Sequence, residues 1–164
     1  MNTEELIKTS EESFSLYEKD FYAWTQAQAK LLKDGVWESL DIVNLVEEIE
    51  SLGKQQRQEL RNRLGILIGH LLKWEFQPNK RSKSWFVTLR EQRREILYLL
   101  EQNPSLKPYL PEALQKAYQS GIDLVVRETP LKDRDLPSEC LYTIEEIMDR
   151  NFFPGQPVES ERDW

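Results

Sequence analysis

His70 is the only histidine in the 164-residue chain, and its neighbours decide what chemistry it can do. On a helix it shares a face with Trp74 at i+4 and Gln77 at i+7, with Lys73 beside it. A general base needs an orienting carboxylate within hydrogen-bond reach. The concentrated acids Glu47, Glu48 and Glu50 lie on the same helical stretch, ~30 Å away at 1.5 Å per residue. Only a fold-back at Gly53 brings them near. A partly buried histidine, packed on Trp74 and bonded to a neighbouring helix, is therefore the first reading. A hydrolase-like enzyme using His70 with a carboxylate from another helix is the alternative.

The other chemistries fare worse. A zinc site needs three or four N, S or O ligands, and a di-iron bundle needs Glu-x-x-His on two helices. His70 and the lone Cys140 supply neither, so no metal and no cofactor are expected. Neither glycine-rich phosphate motif occurs, and Gly53-Lys54 stands without the residues that would make it one. Cys140 sits in an acidic loop, which raises a thiol pKa and weakens the nucleophile.

Basic and aromatic residues together give the strongest signal. The stretch GHLLKWEFQPNKRSKSWFVTLREQRR, residues 69–94, interleaves seven bases with Trp74, Phe76, Trp85 and Phe86. Bases neutralise phosphates or carboxylates, and exposed aromatics stack. The candidate binding residues are His70, Lys73, Trp74, Gln77, Lys80, Arg81, Lys83, Trp85, Arg90, Arg93 and Arg94. Net charge is −7, yet it is unevenly placed. Residues 1–52 carry 12 acids and 4 bases, 53–94 carry 3 acids and 11 bases, and 128–164 carry 10 acids and 4 bases. The overall negative field disfavours nucleic acid at long range, although screening over ~8 Å lets a local patch act. An acidic protein surface is the favoured partner and nucleic acid the second. The competing reading is internal neutralisation, with the acidic first helix and the EEIE turn pairing with these bases. Gln28, Gln56, His70 and Gln92 or Arg93, on or near apolar stripes, suggest one polar layer through a bundle.

These side chains must be positioned by helices. Gly and Pro are scarce, at 6 and 8, and the composition favours helix. Tyr17, Phe21, Trp24, Gln28, Leu31 and Leu32 predict a first helix over about 15–33, ended by Asp34-Gly35. Asp41 is the N-cap of a second, with Leu40 and Leu45 as a staple. Its seam runs Leu45, Ile49, Leu52, Leu60, Leu64, Leu67, Leu71, Trp74. The phase survives across Gly53, so one helix of about 42–76 is expected, with Gly53 a hinge; Pro78 stops it. A third helix runs from Ser82 or Ser84 to about Gln102, and a fourth over 106–128 with Pro108 and Pro111 in its first turns. Thr143 and Glu146 form a capping box for a short helix at about 144–150.

A single thiol makes no internal disulfide, which fits a reducing cytoplasm. No basic n-region with an apolar run opens the chain, so no signal peptide is expected. ILIGHLL, 66–72, is far short of the about 20 residues of a membrane span, and no membrane association is expected. Homo-oligomerisation stays open.

The runs DFYAWTQAQAKLLKDGVWESLDIVNLVEEIESLG, HLLKWEFQPNKRSKSWFVTLREQRREI, NPSLKPYLPEALQKAYQSGIDLV and ECLYTIEEIMDRNFFP resemble the bacterial domain of unknown function 29 family. The likeness covers about residues 16–154. It implies a small, all-helical cytoplasmic protein and carries no catalytic residue with it. One departure is Gln55 where a helix-capping serine is expected, which favours an unbroken second helix. The expected fold is all-α: an antiparallel four-helix bundle with a long second helix and a short C-terminal one. It would occupy 15–154 as a single domain, between a polar arm at 1–14 and a flexible tail at 155–164.

Overall fold

Why the second helix is so long follows from its ends and its middle. Asp41 accepts the Asn44 backbone N–H at 3.3 Å on Oδ1, capping the first turn. Nothing between Ile42 and Phe76 breaks the apolar phase, and Pro78 opens a 3-10 turn that ends it. A computed structural model describes residues 16–157, so the N-terminal arm and the last seven residues lie outside the described part. The elements are α1 (Phe21–Asp34), α2 (Ile42–Phe76), α3 (Lys83–Gln102), α4 (Leu110–Glu128) and α5 (Ile144–Met148). No strand occurs among the described residues, and the fold is all-α.

Gly53 sits inside α2, and a Cβ added there would meet nothing within 4 Å. Within one chain a methyl there touches nothing, so in the monomer the substitution acts through the unfolded chain's freedom. Gly53→Ala is therefore expected to stabilise the protein by about 0.5–1 kcal/mol, read as a higher urea midpoint with unchanged slope.

The chain groups into two compact units, Met1–Lys54 and Gln55–Trp164. In the first, a helical turn at 16–19 ends at Asp20, which caps α1 by accepting from Ala23 N at 3.0 Å. The expected start near residue 15 runs through that break. Asp20 reads as one more acid in an acidic stretch, which hides its role as a cap. At the other end Gly35 adopts φ 71°, a left-handed residue that closes α1. Trp24 Nε1 and Asn44 Nδ2 both donate to Asp41 Oδ2, at 3.0 and 2.7 Å. Buried Gln28 accepts the Asp41 N–H at 2.8 Å. Tyr17 and Phe21 complete an aromatic cluster on Trp24. Tyr17 also donates to Glu48 at 2.6 Å, and that anion pushes its pKa up to about 12.

In the second unit the seam of α2 is core. Leu60, Leu64, Leu67, Leu71 and Trp74 are buried with Leu89, Ile96 and Leu100 of α3 and Ala113, Ala117 and Val125 of α4. Ser82 caps α3 and the Thr143–Glu146 box caps α5, both as expected. The fourth helix differs at its start. Prolines force a 3-10 stretch, Pro104–Tyr109, before α4 begins at Leu110. Small residues set the α2–α4 crossing. A Cβ on Gly121 would lie 3.1 Å from Gly69 N and 3.3 Å from Gly65 O, so the two backbones nearly touch.

The seam's first half behaves otherwise. Ile49 and Leu52 are exposed, not core. Helical periodicity marks a stripe but does not say what covers it.

Candidate functional site

The single histidine is placed by α2 and used locally. His70 Nδ1 lies 2.9 Å from the Ile66 carbonyl one turn back, so that nitrogen carries the proton and donates it. His70 is half-buried. Burial lowers its pKa most; the bond to Ile66 opposes this, nearby Lys73 adds to it, and Glu128 opposes it weakly. The orienting partner is a carbonyl, whereas a histidine base for hydrolysis would call for a carboxylate there.

The sign of the pH effect follows. A folded-state pKa below the ordinary 6.5 means the unfolded chain takes the proton first. Stability is intact above 6.5 and is lost as pH falls from there through the lowered folded value. His70→Gln keeps a polar side chain without that titration. Its urea midpoint should change less than that of the wild type between about pH 7.5 and pH 5.5. Equal changes in the two proteins would show that His70 contributes nothing.

Lys73, one turn on, is a buried cation. Its ammonium donates to Glu128 Oε2 at 2.7 Å and sits 4.4 Å above the Trp85 ring. That hydrogen bond holds the Glu128 carboxyl below its ordinary range. The acid paired with Lys73 is thus at the end of α4, not in the acidic N-terminal third.

Two arginines of the basic segment grip the chain's C-terminal stretch. Arg81 donates from Nε to Trp74 O at 2.7 Å, from Nη1 to Gln156 O at 2.6 Å and from Nη2 to Pro154 O at 3.3 Å. Of the expected tail, 155–164, residues 155–157 are described, with Gln156 bonded here; the rest lies outside the described residues. Arg93 donates from Nε to Ile147 O and from Nη2 to Phe152 O, both at 2.8 Å. Burial pulls the Arg93 pKa down to about 10, against the favourable charge of Asp149. Phe153 packs on Trp74, Phe86 and the Arg93 guanidinium.

The candidate residues therefore divide. Lys73, Trp74, Arg81 and Arg93 are buried and held by internal partners. Trp85 is half-buried under Lys73, and Gln77 donates to its neighbour Phe76 O. Lys80, Lys83, Arg90 and Arg94 are exposed. The supposed polar layer resolves into separate local contacts. Gln28 serves Asp41, His70 serves Ile66, Gln92 accepts weakly from Arg63 at 3.4 Å, and Gln56 is exposed.

Arg90 and Arg94 belong to a cleft of about 430 Å³, with Arg93 at its base. Leu97, Tyr98 and Met148 give it apolar lining, and Arg150 and Glu101 complete it. Leu97 and Tyr98 are both about half exposed or more. Arg90, Arg94, Leu97, Tyr98 and Glu101 recur at helical spacing, a second stripe on α3. Arg90 and Arg94 are among the expected binding residues; Leu97, Tyr98 and Glu101, on the same stripe, are not. Arg150 was hidden by the acidic residues around it.

Elsewhere, Cys140 lies in a second cleft with Tyr118 and Leu114. Its thiol pKa is raised mainly by burial, with the nearby acid Glu146 a smaller cause. Among the described residues no group of three or more His, Cys, Asp or Glu is placed to hold a metal, and no helix is long and apolar enough to cross a membrane.

A family model described as "Domain of unknown function DUF29" matches residues 16–153. No curated protein and no solved structure matches the chain.

Proposed function

The chain belongs to the family described as domain of unknown function DUF29, and from that premise we propose that it is a non-enzymatic interaction module that takes an acidic protein surface in the α3 cleft. One observation carries the reading. Arg90, Arg94 and Arg150 line one cleft together with Leu97, Tyr98 and Met148. Arginine forks match carboxylates in geometry, and exposed Tyr and Met are the residues on which a partner's apolar side chain settles. Bases that outnumber the one acid, Glu101, beside apolar side chains favour an acidic segment with an apolar anchor. Among the described residues Arg94 meets the adjacent Glu95, at 3.2 Å in an exposed pair that a better partner can displace.

The test uses a random glutamate–tyrosine copolymer as the acidic probe and a DNA duplex as its rival. Backbone and methyl NMR signals of Leu97, Tyr98 and Met148 should shift with the copolymer, and the affinity should fall as salt rises. Arg94→Glu with Arg150→Glu should abolish the shifts, while Lys83→Glu should leave them. Arg81 is the wrong residue to reverse, because its role is to hold carbonyls inside the fold. No shift at low salt would end the proposal. Stronger binding of the duplex at the same residues would replace the partner with nucleic acid.

A further inference from the structure

The first half of α2 carries an apolar face that its own unit does not use. α1 packs on the side of α2 that bears Asp41, Asn44 and Glu48, through the contacts of Trp24, Gln28 and Tyr17. The side of Ile42, Val46 and Ile49 is left at 56, 49 and 66 % exposure, with Val43 and Leu52 exposed on its flanks. In helical phase these positions continue the stripe that is core from Leu60 onward. Together they present on the order of 500 Å² of apolar surface, the centre that a standard interface of ~800 Å² per partner requires.

We infer that this face pairs with the same face of a second copy, the two α2 helices running antiparallel. The spacing is the reason. Ile42, Val46, Ile49 and Gly53 stand at intervals of four, three and four, which read the same in both directions. A two-fold axis requires that property, since residue i must meet j while j meets i. In this register Val46 faces the other copy's Ile49. Ile42 faces Gly53, where no atom lies within 4 Å of the position a Cβ would take. The large side chain thus enters the gap left by the small one. Glu47 and Glu50, on the same stretch of helix, turn nucleic acid and anionic lipid away from the face. This pairing is independent of the α3 cleft. It is apolar at its centre and should persist in high salt, where the cleft's partner should dissociate.

Light scattering on a sizing column, at about 100 µM chain and ~0.5 M salt, should give twice the chain mass. Val46→Lys should give the monomer mass with unchanged helical circular dichroism, because the side chain is exposed. The register has its own test, in a Cys140→Ser background. Ile42→Cys with Gly53→Cys should form a covalent dimer on mild oxidation, and Ile42→Cys alone should not. Positions 42 and 53 of one helix are ~16 Å apart, as are the two copies of residue 42 in this register, beyond the ~7 Å a disulfide spans. A wild-type monomer under these conditions, whatever else takes the face, overturns the inference. So does a dimer that survives Val46→Lys, or cross-linking by the single cysteine as efficient as by the pair.

Discussion

Arg93→Ala should lower the stability of the protein by about 3–5 kcal/mol, whereas Arg94→Ala beside it should change it by less than ~0.5 kcal/mol. The two arginines are adjacent in sequence and alike in charge. They differ in what surrounds them. Arg93 is 3 % exposed and spends its guanidinium on the carbonyls of Ile147 and Phe152. A hydrogen bond from a charged donor contributes about 1.5–3 kcal/mol, and here two are lost together. Truncation also strands two acceptors and leaves a gap beside Phe153, whose ring centre is 5.5 Å from the guanidinium carbon. Arg94 loses only an exposed contact with its neighbour Glu95. Urea denaturation measures both changes. Hydrogen exchange then locates the damage: in Arg93→Ala the amides of residues 147–157 should lose protection before those of α2. Arg93→Lys tests geometry apart from charge. One ammonium cannot reach two carbonyls served by different nitrogens, so it should recover only part of the loss. Equal costs for Arg93 and Arg94 would show that the clamp does not hold the C-terminal stretch.

The same pair shows what was legible in the sequence. Helix positions came through because they depend on local signals. The Asp41 cap, the phase across Gly53 and Pro78 gave α2 its ends, and the Thr143–Glu146 box gave α5 its start. That Arg93 interrupts an apolar stripe was equally visible, and it does point inward. Its purpose was not visible. A side chain reaching backbone carbonyls 54 and 59 residues away leaves no periodic trace, because a carbonyl is present at every residue. Charge counting places Arg81 among the surface bases, and the stripe gives Arg93 no partner, whereas the folded chain uses both as fasteners. It also missed Arg150, since a local average over an acidic region cancels a single base. Of the expected bases, Arg90 and Arg94 line a cleft with apolar neighbours on α3, and Lys80 and Lys83 stay exposed at the α2–α3 junction. For the exposed half of α2 the lesson is reversed. Periodicity found the stripe of Ile42, Val46 and Ile49, but burial depends on a partner surface, and a single chain's pattern does not specify one.

Gly121→Val should destabilise the protein by about 3 kcal/mol or more, in contrast with the gain expected at Gly53. Both glycines lie in helices, and at both a residue with a Cβ restricts the unfolded chain. Helix propensity alone would favour replacement by about 0.5–1 kcal/mol. The surroundings reverse the sign at Gly121. Its Cβ would stand 3.0 Å from Ile68 Cγ2, 3.1 Å from Gly69 N and 3.3 Å from Gly65 O. The methyl of Ile68 can rotate aside, but the other two contacts are backbone of α2. Relief requires α2 and α4 to move apart, which loosens Leu67, Leu71 and Val125 in the core around the crossing. Overpacking of this kind costs about 1–3 kcal/mol for a small addition and more when backbone must shift. Gly121→Ala should therefore already be destabilising, and Val, branched at the crowded carbon, more so. Thermal unfolding of Gly53→Ala, Gly121→Ala and Gly121→Val should rank them above, below and furthest below the wild type. A neutral Gly121→Ala would mean that the two helices part freely, and that the small residues at 65, 69 and 121 do not set their separation.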